Sequence, residues 1–303
     1  MTAATRPAPA GATGSPVDLT RRSLLRRRRL TNRVVTSAIA LAPLIALVPL
    51  GLVTYTVISK GFAVMSSAFL SSDVTFSSRR LGGVGPAIQG TLLITALAAL
   101  IAIPLGVFGA IYLNEYGKQN RLARVIRTTS DVMTGVPSIV MGLFIYVSWV
   151  LLFDAQSGLA AALALACLML PVVIRSSEEM LRLVPDELRQ ASLALGARKW
   201  RTTVTVVLPA AISGITSGSL LAIARAAGET APIVLVIGLV AKPEWNLLQP
   251  NVALPQLIYS NASSPFPIAQ DRAWGAALTL IVIVLVTTII ARFVANRYAI
   301  KER

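Results

Sequence analysis

Long runs of apolar residues divide the chain into six candidate membrane-spanning helices. The runs are Val34–Ile58, Ile88–Tyr112, Val132–Phe153, Gly158–Ile174, Ala211–Leu239 and Trp274–Val294. A helix needs about 20 apolar residues to cross the hydrocarbon core, and only the fourth run is at the short limit. Because a backbone exposed to lipid must satisfy its own hydrogen bonds, this pattern predicts an all-α, polytopic membrane protein with six transmembrane helices.

The polar segments between the runs set the predicted organisation. We expect a disordered basic cytoplasmic tail at 1–33, a first transmembrane helix with its external loop at 34–84, a core of five helices at 85–296, and a cytoplasmic end at 297–303. Two loops are longer than connectors need to be. Arg175–Pro209 is expected to fold or to dock a partner, and the proline-rich Val240–Ala273 is expected to form a partly ordered external cap.

The positions of the positive charges predict the orientation. If the amino-terminal tail is cytoplasmic, 22 of the 28 Lys and Arg residues lie on the cytoplasmic side and five on the other. Cytoplasmic loops carry the excess of positive charge in membrane proteins, so both termini are predicted to be cytoplasmic. The same distribution attributes the net charge of +15 to topology and anionic lipid, not to nucleic-acid binding.

Composition narrows the chemistry. The chain is 55% hydrophobic and only 14% charged, which is far too apolar for a soluble protein of 303 residues. It has no histidine and one cysteine, Cys167, so the common zinc sites and a Ser-His-Asp triad are excluded. It also lacks the Gly-x4-Gly-Lys-Ser/Thr loop that binds nucleotide phosphates. We therefore expect a subunit that is not an enzyme, holds no cofactor and takes its energy from another chain.

Two opposite charges lie inside the run Ala211–Leu239. Arg225 and Glu229 share one helix face, and each charge at the bilayer centre costs about 2.5–3.5 kcal/mol. One interpretation is an internal ion pair facing a neighbouring helix. The other is a polar pathway in which the arginine binds a tetrahedral oxyanion and the carboxylate orients it or accepts a proton. Gly228 and Pro232 flank the pair and allow the helix to break toward a cavity.

A short amphipathic helix is predicted within the long cytoplasmic stretch. Pro185 and the two carboxylates that follow it favour a helix start, and Gly196 can end the helix in the left-handed conformation. Leu188, Ala191 and Leu195 share one apolar face. Such a helix on the inner face is suited to a groove in a soluble partner.

This stretch resembles the EAA loop of the permease subunits of ATP-binding-cassette importers, whose pattern is E-A-A-x3-G-x9-I-x-L-P. The matching positions are Gln190, Ala191, Ser192, Gly196, Val206, Leu208 and Pro209. Gln190, Ser192 and Val206 are conservative departures, whereas the glycine, the Leu-Pro pair and all the spacings agree. In that family the loop, which corresponds to residues 184–209 here, is the coupling helix that receives motion from an ATPase subunit. The resemblance therefore implies that Gln190–Gly196 contact an ATPase.

Other segments are similar to the phosphate importers of the same family. They are Tyr112–Gly117, Val136–Val140, Leu170–Glu179 and Ala224–Pro232. The resemblance implies the type I, MetI-like permease fold and inorganic phosphate as the substrate. It implies that Arg175 and Arg225 are cations of the phosphate path and that Glu229 is their partner or an acceptor for protonated phosphate. Glu178 and Glu179 follow Arg175, and which of them faces the path is left open.

The resemblance also implies a set of partner chains. They are a PstC-like second permease in a heterodimer, a PstB-like ATPase dimer that binds ATP and Mg²⁺, and a PstS-like phosphate-binding protein. The chain would then lie in the plasma membrane, surrounded by lipid. Residue by residue, Arg175 taken alone is equally well explained as an anchor at the inner membrane surface.

Two further interpretations compete with a phosphate importer. The first is a permease of the same fold for another oxyanion, sulfate or molybdate. Phosphate keeps a proton near neutral pH and can donate a hydrogen bond to a carboxylate such as Glu229, whereas sulfate cannot. The second is a channel or carrier that works without ATP, against which the coupling-loop pattern argues. An enzyme acting on lipid phosphates is disfavoured because there is no histidine and no paired acidic metal motif.

Overall fold

The computed structural model describes residues 22–77, 79–117 and 120–298. It divides into two units at the Tyr55–Thr56 boundary. No strand occurs in the described ranges, and the all-α fold predicted from the apolar runs is confirmed. The helices are α1 (Arg22–Val64), α2 (Ser67–Ser71), α3 (Gly85–Ile111), α4 (Arg121–Gly135), α5 (Ser138–Ile145), α6 (Leu151–Phe153), α7 (Gly158–Leu183), α8 (Asp186–Ala194), α9 (Lys199–Thr202), α10 (Leu208–Ala227), α11 (Ala231–Val234), α12 (Leu254–Ala262) and α13 (Pro267–Tyr298). Three π-helical segments, Tyr112–Tyr116, Tyr146–Val150 and Thr203–Val207, join consecutive helices.

The first unit contains most of α1. The side chains described from residue 28 to residue 55 are all exposed, although this segment is almost entirely apolar after Arg33. An apolar helix of this length with no protein cover is suited to lipid. The helix begins at Arg22, so residues 22–33, which were expected to belong to a disordered tail, are helical. The remainder of that predicted tail lies outside the described residues.

The core of the second unit is built on α7, which packs between α3 and α10. Its amino-terminal half is rich in buried alanines, and small residues on its neighbours allow close approach. Gly106 of α3 lies against Val173, while Gly214 and Gly218 of α10 lie against Met180 and Ser176. The last two contacts run in opposite directions along the chain, so α7 and α10 are antiparallel.

The third predicted span is not one helix. The run Val132–Phe153 is interrupted at Val136–Pro137, and the helices on either side, Arg121–Gly135 and Ser138–Phe153, are bent by 109°. The cause is Pro137, because its ring and missing N–H disfavour the helical conformation around it. Among the described residues, five helices are therefore long and apolar enough to cross a membrane, or six when this bent pair is counted as one span.

The other spans differ from the predicted bounds at their ends. Helix α7 continues to Leu183, nine residues past Ile174, and stops where Val184 becomes extended before Pro185. Helix α10 ends at Ala227, not at Leu239. Helix α13 begins at Pro267, seven residues before Trp274. Polar side chains at the end of α7 and at the start of α13 hid these two boundaries from the apolar pattern. At the end of α10 the apolar run continues past the helix break at Gly228.

Arg272 holds the irregular segment between α2 and α3. The residue is 1% exposed, although the sequence placed it in an external loop. Its guanidinium group donates hydrogen bonds to the carbonyl oxygens of Thr75, Ser77, Arg80 and Leu81 and to Oδ1 of Asn261. Because buried carbonyls without partners are costly, this one side chain fixes an irregular segment against α12 and α13.

We expect Arg272→Ala to lower the free energy of unfolding by about 3 kcal/mol, because it leaves four partly buried carbonyls without this donor. The measurement is thermal or denaturant unfolding of the purified protein in detergent. Arg79→Ala is the matched control, since Arg79 is an exposed arginine of the same segment. Equal stability of the two variants would contradict this role of Arg272.

Candidate functional site

A break in the backbone after α10 shapes the candidate site. Arg225 lies in the last turn of α10, Gly228 follows the helix end, and α11 begins only at Ala231 with Pro232 in its first turn. The expectation that Arg225 and Glu229 lie in the middle of one continuous span is therefore wrong. They flank a helix end, where backbone groups have no intrahelical partner.

This break faces a cavity of about 220 Å³. Residues at the Pro137 break line the same cavity, so two interrupted helices meet there. Its lining consists of Met133, Thr134, Val136, Pro137, Ser138, Leu168, Met169, Pro171, Val172, Ala222, Arg225, Ala226 and Glu229. Irregular backbone at membrane depth is tolerated where it lines a cavity or is buried in protein, and both breaks meet this condition.

The charges of the cavity are Arg225 and Glu229. Nε of Arg225 lies 3.4 Å from Oε1 of Glu229, and the two side chains are 69% and 21% exposed. This long contact holds the guanidinium group weakly and leaves most of its N–H donors available to another acceptor. The arrangement can bind an oxyanion while a carboxylate competes for the same cation.

Arg175 lies just outside this cavity. It is one helical turn beyond Pro171, which lines the cavity, and its Nη2 is 3.0 Å from Oδ1 of Asp131 on α4. Both side chains are partly exposed, so the ion pair is accessible. Sequence reasoning missed Asp131, because a single carboxylate after a polar loop gave no spacing signal.

Glu178 and Glu179 have different surroundings, and neither lines the cavity. Glu178 is 1% exposed, and its Oε1 accepts from Nε of Arg127 at 2.8 Å and from Nη2 of Arg182 at 2.7 Å. Its other oxygen, Oε2, is buried without a partner. Glu179 is exposed. The structure therefore places Glu178 in the packing between α4 and α7.

The coupling segment folds as a short helix, α8, followed by a tight turn. Gly196 takes φ +84°, a left-handed conformation that favours glycine. Gln190 and Ala191 are exposed, and Ser192 Oγ lies 2.9 Å from Thr202 Oγ1, which joins α8 to α9. Leu208 and Pro209 form the first turn of α10.

An apolar surface surrounds α8. Its largest members are more than 40% exposed: Leu183, Leu188, Leu193, Leu195 and Trp200. Basic side chains at 198, 199 and 201 border it, and Nζ of Lys199 lies 4.9 Å from the ring centre of Tyr116. An exposed apolar surface of this extent is typical of a protein interface.

Comparison with known proteins places the chain in a family. The sequence profile of the family described as "Binding-protein-dependent transport system inner membrane component" matches residues 102–300. The chain is 46% identical over 284 residues to "Phosphate transport system permease protein PstA 1" of Mycobacterium tuberculosis, covering 91% of this chain and 93% of that protein. It is 40% identical over 269 residues to "Phosphate transport system permease protein PstA" of Yersinia pestis, covering 88% and 90%.

Solved structures support the predicted fold. A bacterial alginate ABC transporter chain superposes with a TM-score of 0.64 at 15% identity, covering 90% of this chain and 97% of that chain. A chain of the MetNI methionine ABC transporter gives 0.57 at 16% identity, covering 71% and 95%. The type I, MetI-like permease fold is thereby confirmed.

The packing of the two helix breaks generates a prediction. A Cβ atom on Gly142 of α5 would lie 2.5 Å from the carbonyl oxygen of Pro232, so Gly142→Ala forces the break to move. We expect a loss of about 1–3 kcal/mol in the free energy of unfolding. Gly135→Ala is the control, because a Cβ there meets nothing within 4 Å. The measurement is unfolding of the purified variants in detergent. Equal stability of Gly142→Ala and Gly135→Ala would contradict the prediction.

Proposed function

The chain belongs to the family of binding-protein-dependent transport system inner membrane components, and we propose that it is the permease subunit of an ATP-driven importer of inorganic phosphate. The observation that carries the proposal is its near full-length similarity to phosphate transport permeases, at 36–46% identity. It is a multi-pass membrane protein of the transport system, and its family is one of permease subunits.

The cavity gives this function a physical basis. In the proposed path, the guanidinium group of Arg225 binds phosphate oxygens with charge-assisted hydrogen bonds. Glu229 accepts a hydrogen bond from the protonated oxygen of phosphate, a donor that sulfate lacks. The same carboxylate competes with the anion for Arg225, so that the anion is released. The loose 3.4 Å contact between the two residues supports such an exchange.

Arg175 is proposed as the second cation of the path. Its contact with Asp131 joins α7 to α4 one turn from the cavity, so phosphate leaving Arg225 would meet this pair next. Asp131 would then act on Arg175 as Glu229 acts on Arg225, by competing with the anion. Glu178 is held by two arginines in the helix packing, which supports an indirect part in positioning α7. The exposed Glu179 remains a candidate for the path.

The remaining parts of the proposal concern partners and orientation. Both termini would be cytoplasmic, and a PstC-like permease would complete the path. A PstS-like protein would deliver phosphate, and a PstB-like ATPase dimer would bind ATP and Mg²⁺. The coupling residues would be Gln190, Ala191, Ser192, Gly196, Leu208 and Pro209, and the apolar surface around α8 supports this contact.

In the proposed mechanism, ATP-driven closure of the ATPase pair moves α8 and opens the cavity alternately to each side. Helices α7 and α10 pack through glycine contacts, so they are expected to move as one body. The permease would perform no chemistry on phosphate. It would supply a path whose affinity changes between two conformations.

The direct test is uptake of radiolabelled phosphate into vesicles that contain the chain with its copurified partners, with and without ATP and with excess sulfate. We expect ATP-dependent uptake that sulfate does not inhibit. Inhibition by sulfate would assign a different oxyanion, and uptake without ATP would overturn the importer function in favour of a channel or carrier.

Arg225→Gln is expected to lower phosphate uptake by about tenfold or more, because it removes the charged donor of the cavity. Arg175→Gln should act in the same direction. The measurement is the dependence of uptake rate on phosphate concentration in vesicles with equal amounts of assembled complex. Arg124→Gln, an exposed arginine of α4, is the control. Full uptake by both variants with an unchanged phosphate dependence would remove the path assignment.

A further inference from the structure

The π-helical segment Tyr112–Tyr116, at the end of α3, is a junction of several elements. Leu113, Asn114 and Glu115 are all buried. Arg127 of α4 donates from Nη2 to the carbonyl oxygen of Leu113 at 2.9 Å, while its Nε binds Glu178 of α7. π-Helical turns inside longer helices occur frequently at functional sites. This one joins α3 to α4 and α7.

Arg189 connects the coupling helix α8 to the same segment. Its Nε and Nη2 donate to Oε1 of Glu115 at 3.2 and 3.0 Å, and Asn114 Nδ2 donates to the same oxygen at 2.8 Å. Arg189 is 12% exposed and Glu115 is 6% exposed, so water competes little for this ion pair. A charged pair in such surroundings is much stronger than one on the surface.

The same guanidinium group also holds the end of α7. Nη2 donates to the carbonyl oxygen of Leu181 at 2.8 Å, and Nη1 donates to the carbonyl oxygen of Val184 at 2.6 Å. These carbonyls belong to the end of a helix and lack intrahelical partners. The fifth bond, from Nη1 to Asp186 Oδ1 at 3.0 Å, stays within α8 and reaches a side chain that is 68% exposed. All five N–H donors of Arg189 are therefore used.

We propose that Arg189 is the positioning residue through which movement of the coupling helix is transmitted to α3 and α7. The inference rests on the proposed function, because it assumes that an ATPase moves α8. Arg189 connects α8 to two spans at once through rigid, fully used donors. Apart from Arg189, only Ser192 of α8 is not exposed, and its hydroxyl contacts Thr202 of the short helix α9. Force applied to α8 therefore reaches α3 and α7 mainly through the Arg189 side chain.

The neighbouring ion pairs differ from the Arg189–Glu115 pair in which elements they connect, and this difference predicts how their variants should behave. The Arg182–Glu178 pair lies within α7 and the Arg189–Asp186 pair lies within α8, so neither connects two elements. Only the Arg189–Glu115 pair, among the ion pairs of the described residues, connects α8 to another helix. Loss of that pair should therefore change coupling, whereas loss of the Asp186 contact should not.

The test uses the full complex reconstituted in liposomes, with phosphate uptake and ATP hydrolysis measured in the same vesicles. Coupling between two sites is typically worth about 5- to 150-fold, so Arg189→Gln is expected to lower phosphate imported per ATP by about tenfold while ATP hydrolysis continues. Glu115→Gln should have the same effect, and the double variant should be no worse than either one. Asp186→Asn is the matched control and should keep the wild-type ratio.

A structural measurement separates this proposal from the proposed function. Amide hydrogen exchange of Tyr112–Tyr116 should change when ATP is added to the wild-type complex and should not respond in Arg189→Gln. The exchanged pair Arg189→Glu with Glu115→Arg should restore part of the response. A normal uptake ratio and a normal exchange response in Arg189→Gln would overturn the link. The wild-type complex could import no phosphate and still show an exchange response to ATP that Arg189→Gln loses. That result would overturn the phosphate function and support the link through Arg189.

Discussion

Guanidinium groups bound to backbone carbonyls hold this protein together where its helices end. A carbonyl that is removed from water and has no hydrogen-bond donor is costly, so carbonyls at helix ends and in irregular segments need donors from the protein. Arg272 donates to four carbonyls of one irregular segment, and Arg189 donates to two at the end of α7. Arginine suits this task because its donors form a rigid, permanently charged fork.

The candidate phosphate path also depends on backbone groups that are left without partners where helices end. Two helices are interrupted, one at Pro137 and one after Ala227, and both interruptions face the cavity that contains Arg225. An intact helix would present only side chains there. The breaks bring irregular backbone, two hydroxyl groups and two charges to one place, while the packing of Gly142 against Pro232 holds the breaks together. The polarity of the cavity is therefore a product of the fold as much as of its charged residues.

Sequence patterns located the helices better than they located the contacts. Apolar runs marked the spans, and the spacing from Gln190 to Pro209 marked the coupling loop, because both depend on local periodicity. The end of α7 was misplaced because polar residues continue this helix past the apolar run. The end of α10 was misplaced for the opposite reason, because the apolar run continues past the helix break at Gly228. Asp131, Glu115 and Arg189 were missed for another reason. Each acts through a partner distant in the chain, and a carboxylate 74 positions from its arginine leaves no local signal.

Helix α7 has a mechanical property that follows from its two ends. Its 26 residues form a rod of about 39 Å. At the start, Gly158 and Leu159 donate backbone hydrogen bonds to the carbonyl oxygens of Gln249 and Leu247, and at the finish Arg189 holds the last turn. Because both ends of α7 are bonded to other segments, motion at one end is transmitted to the other. A tilt of the helix axis by about 5° displaces one end by about 3 Å relative to the other. A molecule that bound residues 247–249 would therefore oppose motion that starts at the carboxyl-terminal end of α7.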